Sequence, residues 1–165
     1  MFIKIDDFAS EWTKEAQITE RVLNALTDES LTQTMTSQHR TLGQLAWHLV
    51  VSIQYMQSLG LQFTGVHIEQ AIPASASIIQ QRYREINRAL LEAVQSQWTE
   101  EDLRMTHEIG GELWENGASL RFTILHQAHH RGQMTVLMRQ AGLRIPEIYG
   151  PTYESWLDKG MDPLI

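Results

Sequence analysis

Four segments of this sequence carry apolar residues at the three- and four-residue spacing of an amphipathic helix, and this periodicity limits the fold more than any other feature. The segments run from about Asp7 to Leu26, Thr41 to Leu59, Ser75 to Trp98 and Asn116 to Ala141. Helices of this length with no regular sheet between them predict an all-α fold, a four-helix bundle. The link between the second and third helices is long enough for either an up-down-up-down or a crossover connection.

Residues that commonly start helices precede these segments, and glycines that commonly end helices follow two of them. The predicted starts are Asp6 or Asp7, Thr41 with Gln44 as a capping box, Ser75 or Ser77, and Asn116, and the predicted stops are Gly60 and Gly142. These signals place the helix boundaries independently of the apolar periodicity.

Two shorter stretches depart from the helical pattern. Residues 103–114 alternate loosely around Gly110-Gly111, a pair that supplies the positive φ angles of a tight turn, so a short β-ribbon is expected before the last long helix. Residues 60–74 lack periodicity and predict a connection. The proline-containing tail predicts one helical turn near Tyr153 to Asp158.

Composition narrows the classes of function. A chain of 165 residues with 42% hydrophobic residues fits one domain, 1–165. The sequence contains no cysteine, which excludes disulfides, thiolate metal sites and cysteine nucleophiles. A formal charge of −7 argues against a nucleic-acid partner. Neither a signal-like amino terminus nor an apolar run of membrane-spanning length is visible, so no membrane partner and a cytoplasmic location are expected.

Three of the seven histidines lie within the segment LHQAHHRGQM, residues 125–134. His126 and His130 are four residues apart, which on a helix places both rings on one face, one turn apart. Helical zinc sites use this spacing because two such imidazoles reach one ion. His129 is an alternative to His130, since a separation of three residues also works. Otherwise, His129 is a residue that supports a ligand histidine from outside the metal site, a general base or a packed side chain.

His48 is the best candidate for a third ligand. It lies in LGQLAWHLVVSIQYM, at the edge of an apolar stripe, and therefore points towards a helix interface. Three imidazoles from two helices leave a coordination position open for water or substrate, as in catalytic sites. The alternative is that each ring is a core histidine bonded to a backbone carbonyl.

Neighbouring residues suggest supporting roles. Gln133 shares the face of His126 and His130 and is a candidate to orient a ring by a hydrogen bond. Arg131 is a candidate to pair with a carboxylate, and Gly132 a candidate for close approach of another helix. The remaining histidines are expected to be solvated, and the large apolar residues near the motif to fill the core. The histidines expected to be solvated are His39, His67 and His107, and the residues expected to fill the core are Trp47, Trp114, Met134 and Met138.

The combination of these motifs resembles the DinB-like family, including its bacillithiol transferase and mycothiol-dependent isomerase relatives. The resemblance rests on the histidine of LGQLAWHL, on H-x-x-H-H-R-G-Q from His126 to Gln133, and on IPEIYGP from Ile145 to Pro151. It covers nearly the whole chain. It implies a four-helix bundle, often a homodimer, with one divalent metal held by His48, His126 and His130.

The resemblance also implies an activity. Characterised relatives catalyse thiol-dependent reactions in which a metal, zinc, nickel or manganese, activates a low-molecular-weight thiol towards an electrophile. We therefore expect a metal-dependent enzyme of the thiol S-transferase type or, second, of the hydrolase type, with zinc or nickel favoured. The expected partners are a small electrophile and a low-molecular-weight thiol. A non-catalytic metal-binding, stress-response dimeric module is the alternative.

Overall fold

The computed structural model describes residues 1–66 and 71–163 and confirms the expected four-helix bundle with a short β-ribbon before the last long helix. The helices are α1 (Ile5–Asn24), α2 (Leu42–Val51), α3 (Ala76–Gln97), α4 (Asn116–Gln140) and the short α5 (Tyr153–Asp158), and the strands are β1 (Thr106–Ile109) and β2 (Glu112–Glu115). Single 3₁₀ segments cover Glu29–Thr32, Ser52–Leu59 and Asp102–Arg104. His67, expected to be solvated, lies outside the described residues.

The predicted capping box at the start of α2 is present. The Thr41 hydroxyl accepts a hydrogen bond from the Gln44 backbone N–H at 3.1 Å, and the Gln44 side chain accepts one from the Thr41 N–H at 2.8 Å. This pair satisfies two N–H groups that no helix carbonyl can reach. After Val51 the chain continues as a 3₁₀ helix to Leu59 and stops at Gly60, as predicted. The sequence did not reveal this change of helix type.

Two predicted helix caps are wrong. Helix α1 begins at Ile5, so Asp6 and Asp7 lie inside its first turn, where their charges favour the positive end of the helix without capping it. Asn116 is the first residue of α4 rather than its cap. Its side-chain amide donates to the Asp102 carbonyl at 2.9 Å, a bond that fixes the start of α4 against the 3₁₀ segment before the ribbon.

The four main helices do not follow one another around the bundle. Helices α1 and α2 each pack against both α3 and α4. The order around the bundle is therefore α1, α3, α2, α4, and the consecutive helices α1 and α2 lie on a diagonal. The link between α2 and α3, for which the sequence left two kinds of connection open, thus joins neighbouring helices, and the same order makes α2 and α4 neighbours.

The core lies between all four helices. Its fully buried side chains include Phe8 and Trp12 of α1, Leu49 of α2 and Tyr83 of α3. Trp47, Met134 and Met138 also fill the core as expected, whereas Trp114 is only half-buried and lies on the ribbon. Among the helices of the described residues, none has both the length and the apolarity needed to span a bilayer.

The β-ribbon packs against the first half of α4. Strands β1 and β2 are antiparallel, with His107 opposite Trp114, and the turn uses Gly110 and Gly111 at φ of 61° and 86°. These positive angles are strained for residues with a Cβ atom, which explains the glycine pair. The Trp114 ring meets the Phe122 ring edge-on at 5.5 Å between centroids. The ribbon thus supports Phe122, which lies one helical turn before His126.

Candidate metal centre

The predicted histidines meet where α2 and α4 lie side by side. His48 is in the last turn of α2, and His126 and His130 occupy successive turns in the middle of α4. A buried hydrogen bond joins the two helices beside the rings: the Gln127 side-chain amide donates to the Leu49 carbonyl at 2.9 Å. Since these two residues follow His126 and His48 directly, the bond fixes the separation of the helices at the site.

The three imidazoles converge on a common point. The Nε2 atom of His126 lies 3.3 Å from Nε2 of His48 and 3.1 Å from Nε2 of His130. One nitrogen from each ring can be chosen so that all three lie within 4.8 Å of one another. Two nitrogens bound to one tetrahedral zinc ion at about 2.0–2.1 Å would be about 3.3–3.4 Å apart. The residues present therefore fit a divalent ion.

The hydrogen bond of Gln133 selects the nitrogen that His130 presents. Nδ1 of His130 is 2.7 Å from the Gln133 side-chain oxygen, which only accepts hydrogen bonds, so Nδ1 carries the proton. The neutral ring then directs an unprotonated Nε2 towards the other two histidines. The Nε2 atom of a neutral His126 can make a hydrogen bond to only one of these two neighbours, so one of the two short contacts stays without a hydrogen bond. A cation at the common point satisfies all three.

The alternative in which each ring is a core histidine bonded to a backbone carbonyl does not describe this cluster. Within the described part of the chain, the hydrogen-bond partners of His48, His126 and His130 are one another and Gln133. His130 is 7% exposed, and His48 and His126 are half-buried. The rings are thus packed at a helix interface while one side of the cluster stays accessible.

The electrostatic environment keeps the rings neutral. Burial, together with the positive charges of neighbouring histidines and of Arg40, lowers the pKa of His48 to about 4. Burial is also the main cause that lowers the pKa of His126 and of His130, and the Gln133 hydrogen bond opposes it at His130. Because imidazole must be unprotonated to bind a cation, these shifts favour metal binding at neutral pH.

In the part of the chain that the structure describes, three surface concavities that reach the cluster stand out. The largest, about 400 Å³, extends from His130, and two others of about 270 and 290 Å³ reach His48, the last of them also touching His126. We call them the His130, His48 and His126 concavities. The walls of the His130 concavity also contain Met35, His39, Arg40, Leu45, Gln133, Val136 and Leu137. The walls of the His48 concavity also contain Arg40, Gln44, Trp47, Val51 and Ile72. The walls of the His126 concavity also contain Ser52, Tyr55, Phe122 and Thr123.

The His126 concavity combines aromatic walls with one unused polar atom. The Phe122 ring stacks on His126 with 5.7 Å between centroids, and Tyr55 meets Phe122 edge-on. The Ser52 hydroxyl, one turn after His48, is buried and makes no hydrogen bond to any described residue. The concavity therefore presents mainly an aromatic surface beside His48 and His126.

Other histidines stay outside the cluster. His129 is exposed, with its ring centroid 4.9 Å from that of His130, and it does not share the common point. His39 is exposed as expected, but it borders the His130 concavity, and its Nδ1 bonds to Thr36 at 2.6 Å. His107 lies in β1, where its Nε2 is buried without a partner among the described residues, so the expectation that it is solvated is wrong.

Arg131 faces away from the cluster and pairs with a carboxylate, as predicted. The fully buried guanidinium bonds to the Glu15 carboxylate and to the Thr19 hydroxyl of α1 and to the Tyr149 hydroxyl, and Tyr149 also donates to Glu15 at 2.7 Å. Tyr149 belongs to the IPEIYGP segment, so this ion pair connects both motifs to α1. The role suggested for Gly132 is wrong: the residue is exposed, and a Cβ atom there would meet nothing within 4 Å.

Sequence reasoning missed Arg40, Tyr55 and Phe122. Arg40 precedes the Thr41 capping box, and its distance in sequence from the histidine motif of α4 gave no signal. Phe122 lies four residues before His126, a spacing that does place two rings on one helix face. That spacing could have identified the stacking partner.

The comparisons with known proteins agree with the fold and with the family resemblance. The profile of the DinB family matches residues 1–161. The Bacillus subtilis (strain 168) protein named uncharacterized protein YrdA is 45% identical over 163 residues, which cover 98% of each chain.

Two solved structures are similar. A DinB-like protein from Bacillus cereus ATCC 10987 is 45% identical, with a TM-score of 0.85 over 90% of this chain and 100% of that one. The DinB-like protein YjoA from Bacillus subtilis has a TM-score of 0.66 at 19% identity over 89% of this chain and 96% of that one, which shows a likeness of fold alone. With a family match over almost its whole length and a relative of 45% identity, this chain belongs to the DinB family.

Proposed function

We propose that this protein is a metal-dependent enzyme that transfers a low-molecular-weight thiol to a small electrophile. His48, His126 and His130 hold one divalent ion, with zinc or nickel favoured and manganese the third candidate, since three imidazoles suit several of these ions. The observation that carries the proposal is the convergence of three imidazoles on one point beside open concavities. Membership of the DinB family is compatible with metal binding at this point.

A divalent ion at such a site supplies Lewis-acid chemistry, which lowers the pKa of a thiol or water beside it. The protein's own residues do the remaining work. Gln133 keeps the His130 proton on Nδ1, so that Nε2 faces the common point. Phe122 and Tyr55 form an aromatic wall beside His126 against which a bound molecule can pack.

The residues around the cluster favour a thiol over water as the nucleophile. Within the described chain, no aspartate or glutamate lines the three concavities, so a carboxylate base for water is not at hand. A thiol, with a pKa of about 8.5 in a free cysteine, ionises far more easily than water does and therefore depends less on such a base. Hydrolysis is therefore the second reaction that we propose.

The same lack of a carboxylate base supports a second candidate of a different class, a non-catalytic metal-binding module of a stress response. We also propose that the chain works as a homodimer, on the strength of its family resemblance. Light scattering should then give twice the chain mass of 19.0 kDa. A mass of one chain would contradict the dimer.

Replacement of one proposed ligand tests the metal site. We expect His126→Ala to lose stoichiometric metal, measured by elemental analysis of the purified protein, because two imidazoles hold an ion far less tightly than three. His129→Ala is a matched control, since it removes an exposed ring of the same helix outside the cluster. Equal metal content in His126→Ala and the parent protein would show that the ligand assignment is wrong.

A turnover screen then separates the enzyme from the module. The metal-loaded protein is mixed with each of several bacterial low-molecular-weight thiols and an electrophile, and thiol consumption is followed. We expect consumption that needs metal, survives in His129→Ala and disappears in His126→Ala. Metal binding without turnover of any thiol or of hydrolysable esters would favour the non-catalytic module.

A further inference from the structure

The walls around the histidine cluster differ in charge from the rest of the protein. The chain contains 20 acidic residues and has a formal charge of −7. Nevertheless, none of the described residues that line the three concavities is acidic, and Arg40 lines two of them. The described residues that line these concavities thus carry one positive charge and no negative charge, and a divalent ion held by the histidines would add to that positive charge. Such a field attracts a small anion.

Arg40 is placed to meet that anion. It directly precedes the Thr41 capping box, which fixes the backbone from which its side chain extends. The side chain is exposed, and among the described residues no carboxylate lies within ion-pair distance of its guanidinium. Its charge also acts on His48, His126 and His130, whose pKa values it helps to lower. Arg40 is thus a cation near the cluster without a partner of its own.

The His130 concavity has room for the rest of such a molecule. Its volume of about 400 Å³ lies in the range of small-molecule sites, about 300–1,000 Å³. Leu45, Val136 and Leu137 give it apolar walls, and Arg40 and Gln133 give it polar edges. A molecule in this space can contact both His130 and Arg40.

We infer that the centre takes a small substrate or cosubstrate that carries a carboxylate, which pairs with Arg40 while an apolar body lies against Val136 and Leu137. The inference rests on the proposed function, since the donor atom of this molecule faces the histidine cluster. A carboxylate is favoured over a phosphate because a single guanidinium matches one negative charge and the planar fork of two oxygens. A phosphate ester carries about two charges and three oxygens, for which the lining residues offer no second cation.

The test compares two probes that differ only in charge. Calorimetry gives the dissociation constants of 3-mercaptopropionate and of its neutral amide, 3-mercaptopropionamide, for the metal-loaded protein. We expect the acid to bind about tenfold more tightly or better, as a charge-assisted hydrogen bond predicts. Arg40→Gln should remove this preference, and Arg40→Lys should keep part of it. Arg88→Gln is the control, because it removes one exposed positive charge from α3 away from the concavities.

Each result decides the inference separately from the metal proposal. If the metal-loaded protein binds acid and amide equally, or if Arg40→Gln keeps the preference, the inference fails while metal binding stands. If the protein holds no metal, the same titrations on the metal-free protein decide: a preference for the acid that Arg40→Gln abolishes supports the role of Arg40, and its absence overturns it. Inorganic phosphate that displaces the acid better than propionate does would overturn the assignment to a carboxylate.

Discussion

Gln133 controls which nitrogen of His130 can bind a cation. Its side-chain oxygen accepts the Nδ1 proton at 2.7 Å, and without this bond the ring can place its proton on either nitrogen and rotate. Groups that orient a metal-binding histidine in this way typically contribute a factor of about 10–100 to metal affinity. The role predicted for Gln133, to orient a metal-binding ring, can therefore be tested by measuring the affinity for metal.

We expect Gln133→Leu to raise the metal dissociation constant about 10–100-fold, whereas Gln133→Glu, which keeps an acceptor oxygen, should bind metal nearly as tightly as the parent protein. Competition with a chromophoric chelator measures these constants. Gln81→Leu, on the exposed face of α3, is the control. An unchanged constant in Gln133→Leu would show that the hydrogen bond does not orient the ring.

The low pKa of His48 makes the stability of the metal-free protein depend on pH. Its pKa is about 4 in the folded chain, against about 6.5 in the unfolded chain. Between these two values the unfolded state binds more protons, so the free energy of unfolding rises with pH. The contribution of neutral His48 is complete above about pH 6.5 and is lost as the pH falls towards about 4.

His48→Gln should remove this part of the pH dependence. Urea unfolding of the metal-free proteins at about pH 7 and about pH 5 should show a smaller loss of stability in His48→Gln than in the parent chain, because glutamine does not titrate. His39→Gln, which replaces an exposed ring on the link before α2, is the control. Equal losses in His48→Gln and the parent would contradict the lowered pKa.

At the scale of elements, α4 is held from two sides. His126 and His130 face α2, and the fully buried Arg131 faces α1, where it pairs with Glu15, whose side chain is 12% exposed. The Gln127 hydrogen bond to Leu49 adds a third fixed point beside the cluster. The rotation of α4 about its axis is thus set by contacts on several faces, and this rotation directs the two rings towards His48.

Removal of the buried guanidinium tests this anchoring. Arg131→Met leaves the Glu15 carboxylate without its positively charged partner, and we expect a loss of about 3–5 kcal/mol in the free energy of unfolding. The matched control is Arg82→Met, which breaks a pair with Glu85 in which both side chains are 46% exposed, and which should lose less than about 1 kcal/mol. Urea unfolding measures both. Similar losses in the two variants would show that the buried pair does not anchor α4.

The elements themselves were largely predictable from the sequence, and their ends were less so. Apolar periodicity predicted the helices, and the Gly110-Gly111 pair predicted the ribbon, because both signals are local. The cap assigned to Asn116 was wrong because its side-chain amide instead donates a hydrogen bond to the Asp102 carbonyl, in the 3₁₀ segment before the ribbon. The 3₁₀ segment after Val51 was missed because a short 3₁₀ helix and a short α-helix bury nearly the same positions. The spacing of apolar residues therefore does not distinguish the two types of helix there.

At the scale of the whole molecule, the site joins residues that are far apart in sequence. The pairing of His126 with His130 follows from local spacing, but His48 is 78 residues away from His126 and meets it only because α2 and α4 are neighbours. The position of His48 on an apolar stripe and the family resemblance suggested this contact. The order of the helices was not predictable, because the lengths of the connections allow more than one arrangement.

The location of Arg40 was even less predictable from the sequence than the location of His48. Its location beside the cluster depends on how the link from α1 to α2 crosses the end of the bundle, which no periodicity in the sequence describes. The predicted metal ligands depended on a motif, whereas the residue that we assign to the substrate carboxylate depended on the folded chain. The single domain expected for residues 1–165 stays a prediction.

The most direct test of the metal centre is a crystal structure of the purified protein with anomalous diffraction measured at the absorption edges of zinc, nickel and manganese. We expect one anomalous peak per chain, at about 2.0–2.2 Å from one nitrogen of each of His48, His126 and His130. This result would establish both the ligands and the ion. A metal-loaded crystal without a peak among these three rings, or with an ion bound elsewhere, would contradict the account.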